Sequence, residues 1–224
     1  MYVGRIMHKD LVTIPPDTSI VKANNIIAEK FIEHLLVVDG AGKLVGIVSD
    51  RDLKQTWASP ATTLSAHELN YLLKQLTVDM IMVKKIITIP PGTTVERAAR
   101  IMQENRISAL PVVKNEKLVG IITTTDVMGV LLDAIGIDGE STRFVVLVED
   151  RIGMIAEVSR ILKEEQINIR SLVTLPERQY PGVYHFVIRV GSANGDKAIS
   201  ALTQAGFKVL TGYVEDLGPY LPKE

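Results

Sequence analysis

The sequence predicts a mixed α/β chain of three units: two tandem copies of one small repeat, then a βαββαβ domain. Three observations carry this reading. Ile14-Pro15-Pro16 returns 75 residues later as Ile89-Pro90-Pro91. Lys43-Leu44-Val45-Gly46-Ile47 returns 74 residues later as Lys117-Leu118-Val119-Gly120-Ile121, and self-similarity of that period marks a repeated structural unit. After Gly136 the pattern changes to apolar strands alternating with amphipathic helices.

Each repeat reads in the same order. The residue lost from the second copy falls where Gly40-Ala41-Gly42 becomes Asn115-Glu116, as a hairpin turn would permit. A short extended piece ends at Pro-Pro, and a helix is expected to start at Thr18 or Thr93; Thr93 and Glu96 have capping-box spacing. Ile20, Ala23 and Ile27, like Val95, Ala98 and Met102, fall at i, i+3 and i+7 and give each helix one buried stripe. Two β-branched strands follow, 35–39 with 43–49 and 110–114 with 117–123. A second helix is expected from Asp52 or Asp126, the latter ending near Gly136.

The expected units are residues 1–56, a connecting insertion at 57–76 with a helix capped by Ser65 and Glu68, and residues 77–136. A linker at 137–142, a domain at 143–214 and a tail at 215–224 complete the chain. The domain reads strand 143–149, helix 154–165, strand 167–174, strand 183–190, helix 196–205 and strand 207–212, the ferredoxin-like order. Tyr184, Phe186, Ile188 and Val190 alternate with Val183, His185, Val187 and Arg189; the first set suits the core and the second a partner sheet.

Composition narrows the function. With 25 Lys+Arg against 26 Asp+Glu, the charge balance gives no argument for nucleic acid or an anionic membrane. Cysteine is absent, so disulfides, thiolate metal sites and cysteine nucleophiles are excluded. His8, His34, His67 and His185 show no metal-ligand spacing. The N-terminus lacks the pattern of a signal peptide and no apolar run is long enough for a bilayer, so a soluble, cytoplasmic protein is expected. No constellation for catalysis stands out, and a non-enzymatic role is expected.

The most informative motif is Gly46-Ile47-Val48-Ser49-Asp50-Arg51-Asp52, repeated as Gly120-Ile121-Ile122-Thr123-Thr124-Thr125-Asp126. A hydroxyl suits a phosphate, a carboxylate suits two sugar hydroxyls, and a helix start favours an anion, so the set suits a phosphorylated ribose. The competing reading is plain helix capping by Asp52 and Asp126.

The doubled unit resembles the paired CBS domain, or Bateman module, whose hallmark is Gly-apolar-x-Ser/Thr-x-x-Asp. The C-terminal unit resembles an ACT domain through the loop Asp150-Arg151-Ile152-Gly153-Met154-Ile155 and through Asn168 at the next strand, with Ile152 where many members carry proline. A CBS pair followed by ACT resembles the acetoin-utilisation regulatory proteins of bacteria.

The resemblance implies a regulatory sensor that binds an adenine nucleotide (AMP, ADP, ATP) or S-adenosylmethionine between its repeats, with no cofactor or metal. Ser49 and Thr123 would meet phosphate, and Asp52 and Asp126 ribose. The adenine would lie against Thr13-Ile14, Thr88-Ile89 and the strand carrying Pro111, which becomes Leu36 in the first copy. His34 stands where energy-sensing relatives carry a basic phosphate contact, while its counterpart is Ala109; a half-buried strand-edge role competes. Thr123, Thr124 and Thr125 contrast with Ser49, Asp50 and Arg51, so one strong site and one weak or empty site are expected, the second copy holding the stronger. In the ACT unit, Gly153 and the helix start at Met154-Ile155, with Asp150 and Asn168, would take an amino acid or small carboxylate; Asp150 as a simple cap competes. A homodimer and a partner enzyme in carbon metabolism are implied, and the alternative is a dimeric adaptor with vestigial pockets.

Overall fold

A computed structural model describes residues 1–56, 75–137 and 140–222. The expected insertion helix capped by Ser65 and Glu68 lies outside the described residues. The chain divides into two compact units, Met1–Met128 and Gly129–Glu224.

The first repeat contains α1 (Val3–Ile6), β1 (Thr13–Ile14), α2 (Ile20–Lys30), β2 (His34–Val38), β3 (Leu44–Ser49) and α3 (Asp50–Thr56). The second contains α4 (Val95–Asn105), β4 (Ala109–Lys114), β5 (Lys117–Thr123) and α5 (Thr124–Ile135). Strand β1 runs parallel to β2, which pairs antiparallel with β3; His34 faces Ser49 and Leu36 faces Ile47 in register. In β4–β5, Ala109 faces Thr123 and Pro111 faces Ile121, and Ile89 bridges Val112 in place of β1. Both hairpins shift register at the same place, between Val37 and Val38 and between Val112 and Val113. Asn115 and Glu116 both take positive φ, as a two-residue type I′ connection requires.

The helix stripes pack as the spacing demands: Ile20, Ala23, Ile27 and Val95, Ala98, Met102 are all buried. The helix starts differ from expectation. Ser19 Oγ accepts from Lys22 N at 3.3 Å and Thr94 Oγ1 from Arg97 N at 3.2 Å, so each cap sits one residue later than Thr18 or Thr93. The reason is long-range. Thr18 O accepts from Val78 N and Thr93 O from Val3 N, so both threonines are occupied in extended pairing.

Those bonds belong to an exchange of arms. Residues 1–8 lie on the second repeat: Gly4 N donates to Pro91 O, Val95 N to Met1 O, and His8 bridges Ile121. Residues 76–83 lie on the first by the equivalent bonds: Asp79 N to Pro16 O, Ile20 N to Leu76 O, and Val83 bridges Ile47. Val78 is fully buried in the first repeat's core with Leu35, Val48 and Leu53. A Cβ on Gly46 would overlap the Met82 side chain, and one on Gly120 would overlap Met7. The motif glycines therefore make room for a crossing methionine.

α5 ends as expected at Gly136, whose φ of +69° closes the helix with Gly136 N bonded to Asp133 O and Ile137 N to Leu132 O. The following unit runs β6 (Ser141–Glu149), α6 (Met154–Glu164), β7 (Ile169–Pro176), β8 (Val183–Gly191), α7 (Gly195–Gln204) and β9 (Val209–Leu210). The sheet order β7-β8-β6-β9, all antiparallel, is the βαββαβ fold. β6 begins inside the stretch expected as linker, and β9 is shorter than the expected strand.

Phe144, Val146, Val148, Phe186, Ile188 and Val190 pack beneath α6 and α7, as the alternation implies. The opposite face differs from expectation. Val145, Leu147, Val187 and Leu210 are covered by the chain's own tail through Val214, Leu217, Tyr220 and Leu221. Burial of these apolar groups against water is reason enough for the tail to fold back.

Candidate functional site

The two motif copies build the same local structure. Ser49 N and Oγ donate to Asp52 Oδ2 at 2.8 and 2.6 Å, and Asp52 N donates back to Ser49 Oγ at 3.2 Å. Thr123 N and Oγ1 donate to Asp126 Oδ2 at 2.7 and 2.8 Å, and Asp126 N donates back to Thr123 Oγ1 at 3.4 Å. Each is a reciprocal capping box, with hydroxyl residue at the cap and aspartate three positions on. α3 and α5 consequently start at Asp50 and Thr124, two residues earlier than expected.

Capping uses one carboxylate oxygen and leaves the other. Asp126 Oδ1 meets His8 Nε2 at 2.8 Å. The arm residue equivalent to His8 is Val83, and Asp52 Oδ1 has no such partner among the described residues.

Each motif floors a crevice lined by both repeats. The first, of about 340 Å³, joins Thr123, Thr125 and Asp126 to His8, Asp10–Val12 and residues 31–34 and 36. The second, of about 470 Å³, joins Ser49–Asp52 to Val83, Lys85–Ile87 and residues 106–109 and 111. Apart from Glu33, His34 and Asp50 in the second, the linings correspond position by position through the repeat. Of the residues expected to contact ligand, Ser49, Arg51, Asp52, Thr123, Thr125, Asp126, His34 and Pro111 line these crevices. Thr13, Ile14, Thr88 and Ile89 do not. Ile14 and Ile89 are buried in the cores, and the residues just before them, Asp10–Val12 and Lys85–Ile87, face the cavities.

His34 borders both crevices and donates or accepts at Ser108 Oγ through Nε2, 2.9 Å away. Its Nδ1 is buried with no hydrogen-bond partner among the described residues. Burial holds its pKa below the usual imidazole value of 6.5, against the opposing pull of Glu33 and Asp52, so the ring favours the neutral form.

Phe31 and Arg106 sit at equivalent lips of the crevices, each closing the preceding helix in the left-handed region at φ 53° and 54°. That conformation is costly for side chains with a Cβ. His8, Asp10, Phe31, Lys85 and Arg106 escaped sequence reasoning. The 75-residue offset was the signal that could have paired Asp10 with Lys85 and Phe31 with Arg106.

In the second unit, Gly153 takes φ 93° and opens α6 without a side-chain cap. Asp150 is therefore not the cap considered as an alternative; its backbone N donates to Gly182 O. Arg151 pairs with Glu157 at 2.9 Å and approaches Glu149 at 3.6 Å. A cavity of about 510 Å³ is lined by Met154 with Glu149, Arg151 and Glu157, facing Thr203, Lys208 and Leu221. Asp150, Gly153, Ile155 and Asn168 are not part of its lining. Asn168 follows the far end of α6, whose 11 residues span roughly 16 Å at about 1.5 Å each, so one copy of the domain does not bring it to Gly153.

The described residues contain no group of His, Cys, Asp and Glu able to hold a metal, and no helix long and apolar enough to cross a membrane. Comparison with known proteins fixes the class. The CBS domain model matches residues 3–58 and 78–133, together half of the chain, and the ACT domain model matches 142–205. The chain belongs to the CBS-domain family, as a tandem CBS pair followed by an ACT domain. A CBS domain-containing protein of Dictyostelium discoideum is 33% identical over 131 residues, 58% of this chain and 90% of that protein. A homoserine O-acetyltransferase of Methanohalobium evestigatum is 35% identical over 127 residues, 56% of this chain but only 23% of that enzyme. The crystal structure of a CBS-domain containing protein from Agrobacterium tumefaciens superposes with a TM-score of 0.51 at 28% identity, covering 58% of this chain and 99% of that one.

Proposed function

We propose that the protein is a non-enzymatic regulatory sensor whose CBS pair binds adenine nucleotides or S-adenosylmethionine. The observation that carries this reading is the pair of repeat-related crevices, each with a hydroxyl–carboxylate pair at a helix start on its floor. The carboxylate suits two vicinal ribose hydroxyls, and the cap hydroxyl can turn to a phosphate oxygen. Ligand binding modulates a partner enzyme in carbon metabolism, acetoin utilisation being the case suggested by the domain order. The ACT unit takes an amino acid or small carboxylate beside α6, and the working species is a cytoplasmic homodimer. Regulation follows from differential affinity for two arrangements of the chain, for which about 1–3 kcal/mol suffices.

Calorimetric titration of the full chain with AMP, ATP and S-adenosylmethionine tests the reading. Binding should fall at least tenfold, about 1.4 kcal/mol, in Asp52→Asn or Asp126→Asn, which keep an acceptor for the cap but lose the charge. Unchanged affinity in both variants sinks the assignment.

A further inference from the structure

We propose that the two crevices take different classes of adenosine ligand. The crevice floored by Ser49 and Asp52 takes a 5′-phosphorylated adenosine. The crevice floored by Thr123 and Asp126 takes an adenosine whose 5′ substituent is neutral or cationic. This rests on the adenosine reading above and deepens it.

The argument is a comparison at equivalent positions. Where the Ser49 crevice presents Lys85, Arg106 and Arg51, the Thr123 crevice presents Asp10, Phe31 and Thr125. These positions set three cations on one side against one acid, one aromatic ring and one hydroxyl on the other; Val83 against His8 adds an imidazole to the Thr123 side, but its Nε2 is bound to Asp126 Oδ1. None of the three cations enters an ion pair among the described residues. The acids of the Ser49 crevice do not cancel them. Asp50 is held by Lys54 at 2.6 Å, and Glu33 borders both cavities and so does not distinguish them. In the Thr123 crevice no lysine or arginine contributes to the lining, and Asp10 has no cation beside it among the described ion pairs.

A phosphate entering that cavity would meet like charge, whereas a thioether or sulfonium group would not. Phe31 supplies the smaller crevice with an exposed aromatic face, and such a face attracts a sulfonium as it does other cations. The expectation that the second copy's three hydroxyls make the stronger nucleotide site is thereby reversed for phosphorylated ligands, because Lys85 and Arg106 reach the first motif from the other repeat.

The test is calorimetry on the full chain with AMP and with 5′-methylthioadenosine, each alone and each added after saturation with the other. The expected result is one AMP per chain, one 5′-methylthioadenosine per chain, and no competition between them. AMP binding weakens by about tenfold or more in K85A/R106A and as salt is raised, while 5′-methylthioadenosine binding is unaffected by either. The reverse variant D10K/T125R admits a second AMP. Three outcomes would overturn the charge assignment while leaving adenosine binding intact: equal AMP occupancy of both crevices, mutual competition, or AMP affinity indifferent to K85A/R106A. Failure of both compounds to bind overturns the adenosine reading itself, and this assignment with it.

Discussion

His34 is where sequence and structure meet most closely at the level of single residues. Its type and strand position were legible, and so were both of its competing roles, phosphate contact and half-buried strand edge. Its surroundings were not, because Ser108 comes from the other repeat and the buried Nδ1 depends on tertiary packing. The lowered pKa has a signed consequence. Below the ordinary imidazole value of 6.5 the unfolded chain takes up a proton that folded His34 resists, so stability is present above that value and is lost as pH falls through it. The urea midpoint of the native chain should drop as pH falls below the ordinary imidazole value of 6.5, and His34→Gln should flatten part of that drop. A variant profile parallel to the native one would refute the assignment. Ser49, Asp52, Thr123 and Asp126 show a related lesson: the motif was plain, yet capping and ligand binding use the same atoms, and only geometry shows that the second carboxylate oxygen lies beyond the cap, unpartnered in Asp52 among the described residues and held by His8 in Asp126.

Among the elements, the helices and hairpins followed from periodicity because burial of one stripe is a local pattern. Their starting residues did not, since the arms that occupy Thr18 and Thr93 come from the opposite repeat. The motif glycines belong to the same story. Gly120 lies in an ordinary strand without positive φ, and what it permits is the passage of Met7. Gly120→Ala should cost about 1–3 kcal/mol by overpacking, measured by chemical denaturation. Adding Met7→Ala should recover part of that loss, so that the pair costs less than the sum of the two single changes. Strict additivity would show that the contact is not what excludes a side chain there. In the second unit the alternation of β8 correctly named the core face, but nothing in it could reveal that residues 214–221 return to cover the other.

For the whole molecule, domain order was legible from the repeat and from the change of pattern after Gly136, and the family matches agree with it. What remained hidden was that the two repeats interlock, because the bridges that join them, from Ile47–Val83 to His8–Ile121, link residues far apart in sequence and carry no local signature. The division into units at Met128–Gly129 leads to a calorimetric expectation. AMP at about 100 times its Kd should add roughly 2.7 kcal/mol to the unfolding of the first unit and leave that of the second unchanged. A common shift would show that the two unfold together.

The interlocking arms also bear on how such a receptor could originate. A polypeptide with one repeat would own no complete cavity, since the wall at residues 10–12 or 85–87 always belongs to the opposite half. It would have to borrow from an identical sibling, and symmetry would make the two resulting cavities twins. Fusion of the siblings into a single gene lifts that obligation. Outside Glu33 and His34, which border both, a substitution in one half then alters one cavity only, and ancestral twins are free to become specialists.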